Sequence, residues 1–233
     1  MNQGTIENQD RFLQTIAKKL GHAVGEKVPE PQWSHMPQWA VYEHKTQDQL
    51  IDVIKKASES IHTHVEETDS AHLAEHLQRL IVNYGNGPII ATADQRFSEW
   101  GLTDLLAENK VAVWDTAKGH ENIDRAAHAE IGLSICDVML AESATAGLFN
   151  DKDKARSVSL LPVTSIVLVA KSTIVPRLTQ AMARVQDQVD AGEAPAPYIN
   201  FISGPSNSAD IEMRLVVGVH GPVKVAYLIV TDR

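Results

Sequence analysis

Two stretches decide the fold, Ile166–Ala170, I-V-L-V-A, and Val223–Val230, V-K-V-A-Y-L-I-V. Neither alternates strictly between apolar and polar residues, so neither suits a sheet with one wet face. Short β-branched runs of this kind read as strands buried on both sides, as in parallel sheets covered by helices. The same reading extends outward to Ile89–Ala93, Val111–Trp114, Ile135–Ala141 and Tyr198–Ile202. Helical spacing separates several of them. Thr46 with Gln49 makes a capping box ahead of Leu50, Val53, Ile54, Ala57 and Ile61. Asp69 or Ser70 caps a second helix carrying Leu73, Leu77, Leu80 and Ile81, which closes at Gly85. Further helical stretches fall at about 102–108, 121–130 and 173–190. Strands interleaved with amphipathic helices give an α/β fold, a three-layer, mainly parallel sheet with helices on both faces.

At the N-terminal end, Thr5 to Leu20 places Phe12, Leu13, Ile16, Ala17 and Leu20 on one stripe and stops at Gly21. Pro29, Pro31 and Pro37 then forbid regular helix over 22–44, while Trp33 and Trp39 are too apolar for a free linker. This part reads as a strap that its tryptophans pin to the core. The chain therefore divides into a helix and strap at 1–44 and an α/β domain at 45–233.

Composition removes several function classes. With 233 residues, 43% of them hydrophobic, the chain can bury a core without disulfides or structural metal. One cysteine, Cys136, cannot form an intrachain disulfide or a Cys-only zinc or iron–sulfur site, and points to a reducing compartment. Residues 1–20 carry Glu7, Asp10, Arg11, Lys18 and Lys19, which leaves no uncharged leader core. Ser157 to Ala170 is too short and too interrupted to span a bilayer. The chain reads as cytoplasmic. A net charge of −9 repels phosphate backbones and makes nucleic acid an unsuitable partner. Among ten histidines, His72 and His76 have metal-pair spacing, but H-L-A-E-H lacks the glutamate of a metalloprotease, so no metal is expected. There is no G-x-G-x-x-G after a strand, no phosphate-binding G-x-x-x-x-G-K-[ST] and no G-x-S-x-G elbow.

Two polar, small-residue loops remain, each directly after an apolar run: 141–147, A-E-S-A-T-A-G, and 203–212, S-G-P-S-N-S-A-D-I-E. Ligands in open parallel sheets sit outside the carboxyl ends of strands, so these loops are expected to share one crevice there with Arg156. Hydroxyls, successive N–H groups and Gly147 or Gly204 can cradle a carboxylate or phosphate. Well-capped turns would show the same residues. The candidate ligand-binding residues are Glu142, Thr145, Arg156, Gly204, Ser206, Ser208, Asp210 and His220. The planar fork of Arg156 suits a lactate-sized carboxylate. Glu142 and His220 are the catalytic candidates, His220 because imidazole exchanges protons near neutral pH. A turn histidine bonded to backbone is the competing reading of His220, and Lys152 and Lys154 balance Asp151 and Asp153.

S-G-P-S-N-S-A-D-I-E, followed by Gly218–Pro222, G-V-H-G-P, closely resembles the signature of the lactate utilization protein C family, the LutC/YkgG group of the LUD domain. Asp137 to Gly147 is similar to that family's strand and E-x-x-T loop. Ala155–Pro162, A-R-S-V-S-L-L-P, and the opening T-I-x-N-x-x-x-F-L at Thr5 to Leu13 also match. The resemblance covers essentially the whole chain. It implies a fold like the sugar-phosphate isomerase and CoA-transferase (NagB/RpiA-like) superfamily, whose CoA transferases use a carboxylate nucleophile, a precedent for Glu142. It also implies a role in oxidising L-lactate to pyruvate beside two partner proteins, cysteine-rich and iron–sulfur in type. No cofactor is then expected on this chain, and the iron–sulfur clusters belong to the partners. Two positions depart from the family pattern: Ser208 where threonine is usual, and Ala144 where glycine is. A stand-alone acyl-CoA or sugar-phosphate enzyme using Glu142, and a non-catalytic ligand sensor, are the alternatives.

Overall fold

The computed structural model describes residues 6–27, 29, 31–85, 87–211 and 213–233, with the backbone alone for Asp210 and Ile211. It separates into two compact units, residues 1–36 and 37–233. The first holds helix α1, Gln9–Leu20, with Asp10 in its first turn, Lys18 and Lys19 in its last, and a left-handed cap at Gly21 (φ 79°). These charges complement the helix dipole at both ends.

The larger unit begins with the short helix α2, Pro37–Ala40, on which Trp39 is 40% exposed. Helix α3, Gln47–Ser60, starts at a capping box in which the Thr46 hydroxyl accepts from the Gln49 N–H and the Gln49 side chain accepts from the Thr46 N–H. Then follow β1 (His64–Thr68), α4 (Leu73–Gly85), β2 (Ile89–Ala91), α5 (Arg96–Glu99), α6 (Thr103–Glu108), β3 (Ala112–Val113) and α7 (His120–Ala127). The central part comprises β4 (Ile131–Ile135), β5 (Val138–Leu140), β6 (Thr145–Asn150), α8 (Ser157–Leu160) and β7 (Thr164–Ala170). The chain ends with β8 (Ile174–Val175), α9 (Leu178–Asp190), β9 (Tyr198–Ile202), β10 (Asn207–Ile211), β11 (Arg214–Val217) and β12 (Lys224–Val230).

Six strands form one parallel sheet in the order β1-β12-β7-β4-β2-β3, flanked by helices. Strand periodicity divides its side chains between two cores. Ile166, Leu168, Ala226, Leu228 and Val230 pack with α4 and the α5–α6 segment, while Val167, Val169, Val225, Tyr227 and Ile229 pack with α3 on the other face. The α/β class and the covered parallel sheet therefore match the sequence reading.

Tyr198–Ile202 and the second half of Ile135–Ala141 do not join that sheet. They form a second, four-stranded sheet, β8-β5-β6-β9, in which β5–β6 and β6–β9 are antiparallel. Met139, Ala146 and Leu148 press it onto the α3 side of the main sheet, and α9 covers its outer side through Ala181. Part of one face is thus closed by strands instead of helices. The loops expected at 141–147 and 203–212 also contain strand residues, from β6 and from β10 of the β10–β11 hairpin. The imidazoles of His72 and His76 each face a carboxylate, Asp69 at 2.7 Å and Glu66 at 2.6 Å.

Candidate functional site

The hairpin turn between β5 and β6 carries the first predicted loop. Ala144 takes a left-handed backbone (φ 46°) and is fully buried against the core, so its methyl is a packing group and the turn is closed inward. The carboxylate of Glu142 accepts from Nε of Arg177 at 2.6 Å. An ion-paired, 40% exposed carboxylate is a poor nucleophile. Thr145 is buried, and its hydroxyl meets those of Ser143 (2.6 Å) and Ser203 (2.5 Å). The two predicted loops therefore touch, through Thr145 and Ser203. Gly204 follows at φ 69°, where a Cβ would lie 2.6 Å from the carbonyl oxygen of Ile61, so both conformation and space demand glycine. Its N–H donates to the hydroxyl of Tyr227, which donates to the Ile202 carbonyl.

Arg156 does not join Glu142 and Thr145. Strand β6 runs from Thr145, beside Ser203, to Asn150, which pairs with Tyr198, and the Arg156 guanidinium stacks on the Tyr198 ring at 5.3 Å. Five residues of strand put the two ends roughly 17 Å apart. Arg156 instead lines a cavity of about 620 Å3 with Ser157, Leu160, Leu161 and the Gly218–Gly221 loop that carries His220. Ser206 reaches the same loop: its N–H donates to Pro222 and its carbonyl accepts from the Gly218 N–H, both at 2.9 Å. Three stretches distant in sequence, 155–162, 203–206 and 218–222, are thereby brought together. Ser208 lies on β10 opposite Val216, and the side chain of Asp210, like Glu212, lies outside the described residues.

This cavity is not at the carboxyl edge. Leu161 leads into β7 and Pro222 into β12, so it lies by the amino ends of those strands. The expectation failed because the strands preceding those loops, β5 and β9, belong to the second, mixed sheet and not to the parallel sheet to which the carboxyl-edge rule applies.

The carboxyl edge carries charges that sequence reasoning passed over. Strand order reverses at β2, which has β3 on one side and β4 on the other. There Arg96 donates to Asp94 (2.5 and 2.9 Å), to Asp137 (2.8 Å) and to the carbonyls of Ile135 and Cys136. Lys154 approaches Asp137 at 3.5 Å, so two carboxylates meet two cations and the cluster is neutral. Burial opposes the charge on Asp94, but the Arg96 guanidinium overcomes it and holds the carboxyl below its usual range. Burial likewise opposes the Arg96 cation, and Asp94 and Asp137 raise its pKa nonetheless. Asp94 and Arg96 follow directly on an apolar run and Asp137 lies inside one, which is the signal that was available. Cys136 is fully buried next to this cluster, and burial, reinforced by Asp137, pushes its thiol up to about 12. Among the described residues no group of three or more His, Cys, Asp or Glu side chains is placed to hold a metal ion, and no helix is long and apolar enough to cross a membrane.

The LUD domain family matches residues 51–230. Lactate utilization protein C of Geobacillus sp. (strain WCH70) is 49% identical over the whole of both chains, and that of Bacillus subtilis (strain 168) is 47% identical, again over the whole of both. The crystal structure of a DUF162 family protein from Deinococcus radiodurans superposes with a TM-score of 0.58 at 18% identity, covering 80% of this chain and 99% of the other, a likeness of fold. The chain belongs to the LUD-domain family, among relatives named lactate utilization protein C.

Proposed function

We propose that this chain serves lactate utilization as a subunit of a system that oxidises L-lactate to pyruvate, and that it binds a small carboxylate in the Arg156–His220 cavity. The observation that carries the binding role is Arg156 itself. Arg156 lines the ligand-sized cavity that holds His220, its guanidinium rests 5.3 Å from the Tyr198 ring, which lines a second cavity of about 450 Å3, and among the described residues no carboxylate pairs with it. A planar cation in that setting is suited to a bidentate carboxylate. His220 shares the cavity and is the group available to take the proton of a 2-hydroxyl. Full-length identity to the lactate utilization proteins C supplies the substrate class.

The oxidation releases two electrons and two protons, and among the described residues no group of three or more His, Cys, Asp or Glu side chains is placed to hold a redox metal. The chain's one thiol is buried and held protonated, and its histidines and carboxylates are paired with each other or scattered. We therefore assign the electron transfer to two partner subunits, cysteine-rich and iron–sulfur in type, and the binding of the anion to this chain. The stand-alone Glu142 enzyme is less favoured, because Glu142 is paired with Arg177 and lies away from the cavity.

Calorimetric titration of the purified chain with L-lactate and with pyruvate tests the site. Saturable binding that Arg156→Ala weakens at least tenfold, with the fold intact by circular dichroism, is the expected result. Equal binding by the variant would remove Arg156 from the role. Rapid lactate-dependent dye reduction by the isolated chain would overturn the division of labour.

A further inference from the structure

The carboxyl edge carries a cavity of its own. It holds about 450 Å3 and opens between β2–β3 and the α5–α6 segment, with Phe97, Leu106, Val111 and Val113 among its walls and Thr92, Asp94 and Gln95 also lining it. The volume suits a small organic ligand, and the position is the strand-order reversal at which open α/β sheets bind ligands. Charge narrows the class. Among the described residues no cation lines the cavity, and the neighbouring Arg96 already serves Asp94, Asp137 and two carbonyls in a cluster that sums to zero, which disfavours an anion such as lactate. Apolar walls then favour a neutral body. The hydroxyl of Thr92, a residue only 5% exposed that also lines a small polar pocket with Ser134 and Asp137, has no hydrogen-bond partner within the protein. A buried donor of that kind is costly unless something accepts from it. A rigid ring fits a slot between a helix pair and a strand edge with little loss of internal freedom, and Phe97 gives it an aromatic neighbour.

We propose that this cavity binds a neutral ring compound with carbonyl groups on its edge, of the quinone or flavin-ring kind, as a second ligand site separate from the Arg156–His220 cavity. The assignment stands on the cavity's own chemistry and not on the lactate reading. Quinones and flavin rings share that chemistry, and menadione and lumiflavin represent the two sources.

The test is a titration of the full chain, methyl-labelled at Ala, Leu and Val, with each probe by NMR. Saturable shifts centred on Leu106, Ala107, Val111 and Val113 with either probe are expected, and the stronger binder identifies the source. Ala107→Trp, an exposed helix position on the cavity wall, should weaken that binding at least tenfold, and Thr92→Val should weaken it several-fold in a chain that is folded and at least as stable as the parent. Arg156→Ala should leave it unchanged while weakening lactate binding at least tenfold, which separates failure of this site from failure of the other. Shifts scattered over the surface, no saturable shift with either probe, or undiminished binding in both cavity variants would overturn the proposal.

Discussion

Replacing Arg96 by methionine removes the cation at the carboxyl edge while keeping most of the side-chain volume. Asp94, with a side chain 6% exposed, then loses its guanidinium partner, and Asp137, 16% exposed, keeps Lys154 at 3.5 Å as its one cation beside the Phe149 N–H at 2.6 Å. Removing one partner of a buried charge pair costs about 3–5 kcal/mol, because the charge left behind is uncompensated. At about 2–4 °C per kcal/mol for a chain of this size, the melting temperature should fall by roughly 6–20 °C. The pH dependence is the sharper readout. In the parent chain Asp94 has its folded pKa below the ordinary value, so its contribution is complete above that value and is lost as pH falls through the folded pKa. In the variant burial, the largest influence on Asp94, is opposed only by the backbone N–H of residue 96 and the more distant Lys154, so its pKa rises and protonation relieves the folded state. The stability gap between parent and variant should therefore narrow as pH falls from 7 towards 5, measured by urea denaturation at each pH. A loss below about 1 kcal/mol at pH 7, or a gap that stays constant on acidification, would refute the view of this cluster as a buried, mutually dependent charge set.

Gly132→Ala should destabilise the fold by roughly 1–3 kcal/mol and weaken lactate binding, because its Cβ would lie 1.9 Å from the carbonyl oxygen of Val158 and must displace α8, whose start carries Arg156; calorimetry and denaturation on the same variant check both effects. Cys136 should resist disulfide-exchange reagents in the native chain at pH 8 and react at once in denaturant, since its thiol is buried and its pKa pushed up to about 12. Tyr227→Phe should cost about 1–3 kcal/mol by stranding the Gly204 N–H and the Ile202 carbonyl, as thermal unfolding would show.

The parts of the fold that were legible in the sequence are those fixed by local chemistry. The Thr46–Gln49 capping box, the α4 stripe and the β7 and β12 runs each depend on residues within a few positions of one another. Among the strands that escaped notice, β1 carries glutamates and gains its extended form from β12, remote in sequence, while β6, β8, β10 and β11 are short or carry small and polar residues and pair in the second sheet or with each other across a hairpin. Assigning β9 to the parallel sheet failed for the same reason. An apolar run announces burial, but nothing inside Tyr198–Ile202 says that it pairs with β6 instead of β7. For the site, the residue types were readable and their grouping was not. Arg156 and His220 share a cavity because α8 and the 218–222 loop both precede strands of the main sheet. Glu142 is excluded because β6 is long enough to carry its turn to the far end.

The segment joining β6 to α8 ties the two cavities together. Asp151 accepts from the N–H groups of Asp153 and Lys154, each at 2.8 Å, which folds 151–154 into a tight turn. From this turn the Lys152 carbonyl accepts from the Trp114 indole, the Asp153 carbonyl accepts from the Ala93 N–H, and Lys154 reaches Asp137, so it closes over the carboxyl ends of β2, β3 and β4. Two residues further on, Arg156 faces the other cavity, by the amino ends of β7 and β12. One connection therefore sorts its own charges. Lys154 completes a neutral cluster beside an apolar cavity, and Arg156 is left as the cation that an anion can use. Charge complementarity of this kind discriminates between ligands, and it is the ground for proposing a carboxylate at Arg156 and a neutral ring at the carboxyl edge.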